Sequence, residues 1–409
     1  MSACGCDYER LMPFESALQQ LLGTVSSVRD TETIALEQAT GRVLAQDICS
    51  AIAVPPAANS AMDGYAVNTA SLPPSLCIPV SQRIAAGEQG EMLQPGTAAR
   101  IFTGSEIPPG ADAVVMQEQC QRDGEQVQLM IVPEVGDHIR PAGQDIQPGQ
   151  EVVKAGTRLD GRHLGVLASV GVAKVAVYRR IRVAILTTGD ELVMPGQSCN
   201  AGKIFNSNYF TLQGLLERLG VEVIFPGIVA DNPDLTSLAL LEASEQADLI
   251  ISSGGVSVGE EDHVKAAVER LGELMLWRLA IKPGKPLAYG RVGETPFIGL
   301  PGNPAAVLVT FLMLARPYIL KLQGVEQVLP ARFKVKSRYT RSKAVARQEF
   351  LRAALSTEGG ELSAGPAHSQ SSGVLSSSVL SDGLLVIPSG ETVAQGDTLD
   401  FIPFDGLLN

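Results

Sequence analysis

Hydrophobic and polar positions change rhythm three times along this chain, and each change predicts a different kind of structure. Residues 14–28 place Ala17, Leu18, Leu21 and Leu22 on one side at helical spacing, so the chain opens with an amphipathic helix. From about residue 34 to 177 come short alternating runs, among them GRVLAQDI, GYAVNTA, AARIFTG and DAVVMQEQ, broken by Pro-Pro, Gly-Glu and Pro-Gly. Such runs read as short strands joined by turns, with few helices.

At Arg180 the pattern becomes apolar strand, Gly-rich turn, helix, repeated through RVAILTTGDEL, NSNYFTLQGLLERLG, VEVIFPGIVAD, NPDLTSLALLEASEQ, ADLIISSGGVSVG and DHVKAAVERLG. Alternation at this spacing predicts a parallel sheet with helices on both faces, closed by a long helix at 304–323. After Leu329 short strands return, interrupted by the Ser-rich SQSSGVLSSSVLS, and their spacing fits a small β-barrel. The expected fold class is α/β plus β in several domains.

A length of 409 residues, 45% hydrophobic and 19% charged, suits several globular units, each burying its own core. The net charge of −12 changes the functional picture. No Lys or Arg run opposes it, so neither nucleic acid nor an anionic membrane is an expected partner. An anionic substrate then needs a local cluster of cations, amide donors or a metal. Cys4, Cys6, Cys49, Cys77, Cys120 and Cys199 are scattered without a C-x-x-C pair and read as free thiols, although Cys4 and Cys6 leave a metal or disulfide open. The opening MSACGCDYERLMPF has no signal-peptide run, and the longest apolar stretch, 305–315, falls short of the ~20 residues of a membrane span. A cytoplasmic protein is expected.

Two apolar strands end in similar turns, AILTTGDEL at 184–192 and LIISSGGVSVGEED at 249–262. Ligands bind at the carboxyl ends of strands in open α/β sheets. Thr187, Thr188 and Gly189, with Ser252, Ser253, Gly254 and Gly255, offer hydroxyls and close-approach amides for phosphate or another oxyanion. One such turn is merely a tight connection; two in one sheet point to a site. Carboxylates follow each, Asp190 and Glu191 after the first and Glu260, Glu261 and Asp262 after the second, with Asp231 at the same edge. Carboxylates beside phosphate-binding amides repel the ligand unless a divalent cation lies between, and Mg²⁺ suits scattered oxygen donors. Helix capping accounts equally well for any one of them. The segment AIKPGKPLAYG sets Lys282 and Lys285 around a Pro-Gly turn, and Pro301-Gly302-Asn303-Pro304 makes a second stiff turn before a helix.

The series NSAMDGYAV, IFTGSEIPPGADAVVMQE, LTTGDEL, ISSGGVSVGEED, AIKPGKP and GLPGNPAA resembles, in order and spacing, the motifs of the MoeA and gephyrin E-domain family. The resemblance covers 11–404. It implies a molybdopterin molybdenumtransferase that puts molybdate onto the dithiolene of adenylylated molybdopterin and releases AMP, with Mg²⁺ as cofactor. It implies a homodimer, with possible transient contacts to the molybdopterin adenylyltransferase and to proteins that mature molybdoenzymes. Two interleaved N-terminal units at 11–180, with a β-rich lobe at about 47–147, would precede a MogA-like α/β molybdopterin-binding domain at 181–326 and a C-terminal β-barrel at 327–409.

By the same resemblance Asp63, Thr103 and Asp145 of the lobe, and Glu191, Asp231 and Asp262 of the α/β domain, are catalytic, the last three holding metal. Thr188, Gly189, Ser253, Gly254, Gly255, Pro301, Pro304, Arg140 and Arg352 would bind the substrates, Lys282 and Lys285 would hold molybdate, and Ser376 is a further candidate. Two departures stand out. The loop IRPAGQD keeps Arg140 but carries Pro141, Ala142 and Gln144 where arginines are common, and Ala305 and Ala306 replace a frequent serine. Adenylyl transfer and pyridine-nucleotide phosphatase chemistry are rival enzymatic readings of the α/β domain, and both lack the 11–180 region. A receptor-anchoring scaffold is the non-enzymatic rival.

Overall fold

A computed structural model describes residues 11–255 and 263–408. The chain forms two compact units and passes between them more than once. Of the described residues, one unit comprises 11–32, 41–45, 177–255 and 263–408; the other comprises 33–40 and 46–176. Residues 11–176 are therefore shared between the two units.

The second unit is built on a six-stranded sheet in which Gly64–Val67 lies between Ala98–Ile101 and Ala113–Met116. Alternate residues feed two apolar clusters, Tyr65, Val67 and Val115 on one face and Ala66 and Val114 on the other. That period of two is the pleat of a strand, and it explains why these segments read as β from sequence.

In the first unit a seven-stranded sheet carries Arg182–Thr188, Leu249–Ser253 and Thr295–Leu300 side by side and parallel. Val183 and Ile185 enter one core while Ala184 and Leu186 enter another, so the strand is apolar at successive positions because both faces are covered. The expectation of a purely parallel sheet is corrected at one edge. Pro286–Val292 and Gly272–Arg278 extend the sheet antiparallel, through a tight turn at Gly293 with φ of +57°. A Gly-containing two-residue connection favours such a hairpin. The helix Phe14–Gly23 buries Phe14, Ala17, Leu18 and Leu21 in the same core.

The long helix spans Pro304–Leu322 and carries a π-turn at Phe311–Ala315. Pro317 follows directly; it has no amide hydrogen to give, and a local widening of the helix accommodates that loss. Among the described residues this is the one helix long and apolar enough to cross a membrane, and 94% of the apolar span is buried inside the protein.

Five C-terminal strands close into a barrel: Gln348–Ser356, Ser363–Pro366, Phe333–Ser337, Thr398–Pro403, Gly383–Ile387 and back to the first. Leu351, Ala353, Leu385 and Phe401 fill its interior, whereas Phe350, Leu384 and Ile402 join the core of the α/β sheet. The short strand Ile281–Lys282 pairs in parallel with Gln348 and Glu349. Barrel and sheet are thus welded by shared apolar burial and by a backbone ladder.

Candidate functional site

The carboxyl ends of four strands lie in a row. Thr188 is opposite Val229, Thr187 opposite Ser253, and Ser253 opposite Leu300. The turns after these residues therefore share one edge of the sheet. Gly189 at φ +143° and Gly254 at +90° adopt backbone conformations that a side chain disfavours, which is why glycine follows each strand. The start of the helix Ser207–Arg218 braces the row. Asn206 donates its amide to the buried Thr187 hydroxyl at 3.0 Å, and Asn208 donates to Ser253 Oγ and to the Gly302 carbonyl, both at 2.8 Å.

One end of the edge is acidic. The Asp190 amide donates to Asp231 Oδ2 at 3.2 Å and the Asp231 amide donates to Asp190 Oδ1 at 3.1 Å, a reciprocal clamp. Lys203 donates its ammonium to the Asp190 carbonyl. The Glu191 carboxylate folds against Gly189, where an added Cβ would sit 2.5 Å from Glu191 Oε2. Asp262, with Glu260 and Glu261, lies outside the described residues. Among the described residues no group of three or more His, Cys, Asp or Glu side chains is arranged to hold a metal. What is present are hard oxygen donors, each aspartate with one carboxylate oxygen spent on the clamp. That set suits a Mg²⁺ ion that keeps its own waters and meets substrate phosphates, and does not suit a dedicated protein cage.

The other end is basic and concave. A cleft of about 500 Å³ is walled by Gly254 and Gly255, by Pro301, Gly302 and Asn303, and by Lys282 and Lys285. Lys282 leads into a cis peptide bond with Pro283. Its ammonium donates to Glu349 Oε1 at 3.1 Å. Pro304 starts the helix behind this wall. The barrel completes the cleft with Arg347, Gln370, Ser371 and Ser372. The Ala305 amide donates to the Ser372 carbonyl at 2.9 Å, so the helix start is tied to the Ser-rich loop.

Arg352 is not in the cleft wall, contrary to a direct ligand-binding role. It is 0% exposed, and its guanidinium donates to Ser377 Oγ at 2.8 Å and to the carbonyls of Ser369 and Ser371 at 3.1 Å. Burial pulls that guanidinium below its ordinary value. Gln370 grips the Arg352 backbone from both sides, accepting from its amide and donating to its carbonyl, each at 2.9 Å. Arg352 therefore shapes the loop that reaches the cleft. Ser376 is exposed at the start of the short helix Ser376–Val379, and its buried neighbour Ser377 makes the contact instead.

In the other unit Asp63 Oδ1 accepts from the Thr103 amide and hydroxyl, both at 2.8 Å. Those two bonds, the amide first, hold the Asp63 carboxyl below its usual range. Arg140 and Asp145 line a separate open concavity with Asn59 and Gln144.

Models of known families match three successive stretches: the MoeA N-terminal region (domain I and II) at 12–171, a probable molybdopterin binding domain at 184–321, and the MoeA C-terminal region (domain IV) at 334–404. The chain belongs to the MoeA family. It is 40% identical over 404 residues to the molybdopterin molybdenumtransferase of Haemophilus influenzae, covering 97% of this chain and 100% of that one. Identity to the molybdopterin molybdenumtransferase of Nostoc is 39% over 388 residues, covering 91% and 88%. The crystal structure of the molybdopterin biosynthesis MoeA protein from Pyrococcus horikoshii OT3 superposes with a TM-score of 0.83 at 28% identity, covering 96% and 100%.

Within this MoeA chain the structure brings Gly254, Gly255, Lys282, Lys285 and Pro301 to one cleft, with Thr188 and Gly189 on the neighbouring turn. It clamps Asp231 to Asp190 at the acidic end, with Glu191 next in the chain folded against Gly189. Sequence reasoning missed Arg347, Glu349, Gln370, Ser371, Ser372 and the two brace residues Asn206 and Asn208. In the Ser-rich stretch only Ser376 was a candidate, by resemblance, and nothing local in Gln370, Ser371 or Ser372 marks a cleft wall.

Proposed function

We propose that this protein is a molybdopterin molybdenumtransferase that inserts molybdate into adenylylated molybdopterin with release of AMP. The convergence of two lysines, the glycine turn after Ser253 and a barrel loop on one cleft at the sheet's carboxyl edge carries this reading. Lys282 and Lys285 supply the local cations that a dianionic oxyanion needs in a chain of net charge −12. The pterin phosphates are assigned to the turns after Thr188 and Ser253. Glu191, Asp231 and Asp262 would hold Mg²⁺, which when bound neutralises phosphate charge. The residues' contribution is mostly positioning and electrostatic stabilisation.

In the same reading the active assembly is a homodimer, in which lobe residues Asp63, Thr103, Asp145 and Arg140 of one subunit serve the cleft of the other. The split of candidate residues between two compact units supports it. The protein works in the cytoplasm, and its functional divisions fall at about 11–180, 181–326 and 327–409.

Incubating purified protein with adenylylated molybdopterin, molybdate and Mg²⁺ tests the reaction. AMP release together with a pterin bearing molybdenum by mass spectrometry is expected. Release of AMP without metal on the pterin, or an unchanged pterin, would overturn it.

A further inference from the structure

We propose that Glu349 is a positioning residue for the oxyanion end of the cleft, pinning the Lys282 ammonium where an incoming molybdate meets it. The inference rests on the assignment of molybdate to that cleft. Lys282 and Glu349 are register partners in the parallel ladder between Ile281–Lys282 and the first barrel strand, so they stand side by side. The Glu349 side chain is 4% exposed and that of Lys282 45%, so the carboxylate is set in the wall and the ammonium faces the opening. Glu349 Oε1 takes the Lys282 ammonium at 3.1 Å.

A competing role for Glu349 is to neutralise Arg341 behind it, and the geometry speaks against this as its main task. Arg341 Nη1 stands 3.8 Å from Glu349 Oε2, and neither atom has a hydrogen-bond partner. The Arg341 guanidinium instead donates to the carbonyls of Pro388 at 2.6 Å and Glu391 at 2.7 Å. The hydrogen bond of the buried carboxylate goes to the cleft lysine. An ammonium has three donors on a stem rich in rotamers, and holding one leaves two for the ligand while removing the ordering cost at the moment of binding. Glu349 thus acts through Lys282 and does not touch the oxyanion.

Glu349→Asp keeps a negative charge in the wall but withdraws the carboxylate by one methylene from Lys282 and Arg341 alike, so it is read against Glu349→Gln, which keeps the reach to Lys282 and drops the charge that faces Arg341. We expect the molybdate concentration for half-saturation to rise about three- to tenfold, in turnover and in calorimetric binding of molybdate alone, with kcat and pterin affinity unchanged. Glu349→Gln keeps the side-chain length and an oxygen acceptor for Lys282, so half-saturation should stay within about twofold of wild type. In a Lys282→Ala background Glu349→Asp should add nothing further, as a residue acting only through Lys282 must. An equal molybdate effect of Glu349→Asp with and without Lys282, or a loss in the Gln variant as large as in the Asp variant, would overturn the positioning role. Failure of the wild-type protein to bind molybdate at all would instead overturn the reading of the cleft on which it rests.

Discussion

The two ends of the sheet edge share a construction and differ in everything else. Each is a glycine-rich turn following a buried strand, yet one end gathers Asp190, Glu191 and Asp231 and the other Lys282, Lys285 and Arg347. The described part of the acidic end is made by the α/β sheet alone, from the turns after two neighbouring strands, which clamp each other through backbone amides. The basic end needs the barrel, which supplies Arg347, Glu349 and the loop 370–372. A site whose charge comes from one layer tolerates change elsewhere. A site assembled from two layers depends on the packing that joins them.

Arg352→Ala should break the basic end most severely, since it removes the buried donor to Ser377 and to the carbonyls of Ser369 and Ser371. Unpaired buried acceptors and a large cavity together should cost about 3 kcal/mol or more, seen as an early unfolding midpoint in denaturant, with molybdate binding lost. A variant as stable as wild type would show that the barrel loop needs no internal support.

At the acidic end Glu191→Gln should lower turnover by about a hundredfold while pterin binding persists, because the turn amides that hold the phosphates remain. Separate measurement of binding and single-turnover rate checks this, and wild-type turnover would remove Glu191 from the chemistry.

Lys285→Ala should raise the molybdate requirement about tenfold, as each charge-assisted contact is worth ~1.5–3 kcal/mol and 1.4 kcal/mol is one decade. Pterin affinity should change much less. Loss of pterin binding with an intact molybdate response would reverse the division of labour between the two ends.

The smallest effect is expected from Gly189→Ala. A methyl group there meets the Glu191 carboxylate, whose flexible end swings aside, and the φ of +143° adds strain. Turnover should fall a few-fold, by roughly 1 kcal/mol of barrier, with the molybdate response unaltered. A shift in molybdate response would mean that the two ends are coupled along the edge.

Legibility followed the range over which each feature is encoded. The strands Arg182–Thr188 and Leu249–Ser253, their glycine turns and the carboxylates just beyond were readable, because strand periodicity and turn chemistry act within a few residues. The Asp63–Thr103 pair lay in two quoted motifs 40 positions apart, yet no spacing rule links them; the sheet that pairs Gly64 with Ile101 does. Arg352 stood out in the sequence as a candidate ligand, but its alternate position on a barrel strand carried it inside the wall.

The sequence by itself determined the order of layers, the α/β sheet with its phosphate-ready turns, the stiff lysine turn and the acidic background that makes those lysines matter. All of these are local pattern or summed charge. Only the tertiary structure decided which side of the barrel faces the sheet, and hence that Arg347 and Ser371 reach the cleft, that Arg352 does not, and that Glu349 meets Lys282. Those outcomes depend on barrel closure among strands tens of residues apart and on apolar cores shared between layers, where register sets every side chain's direction.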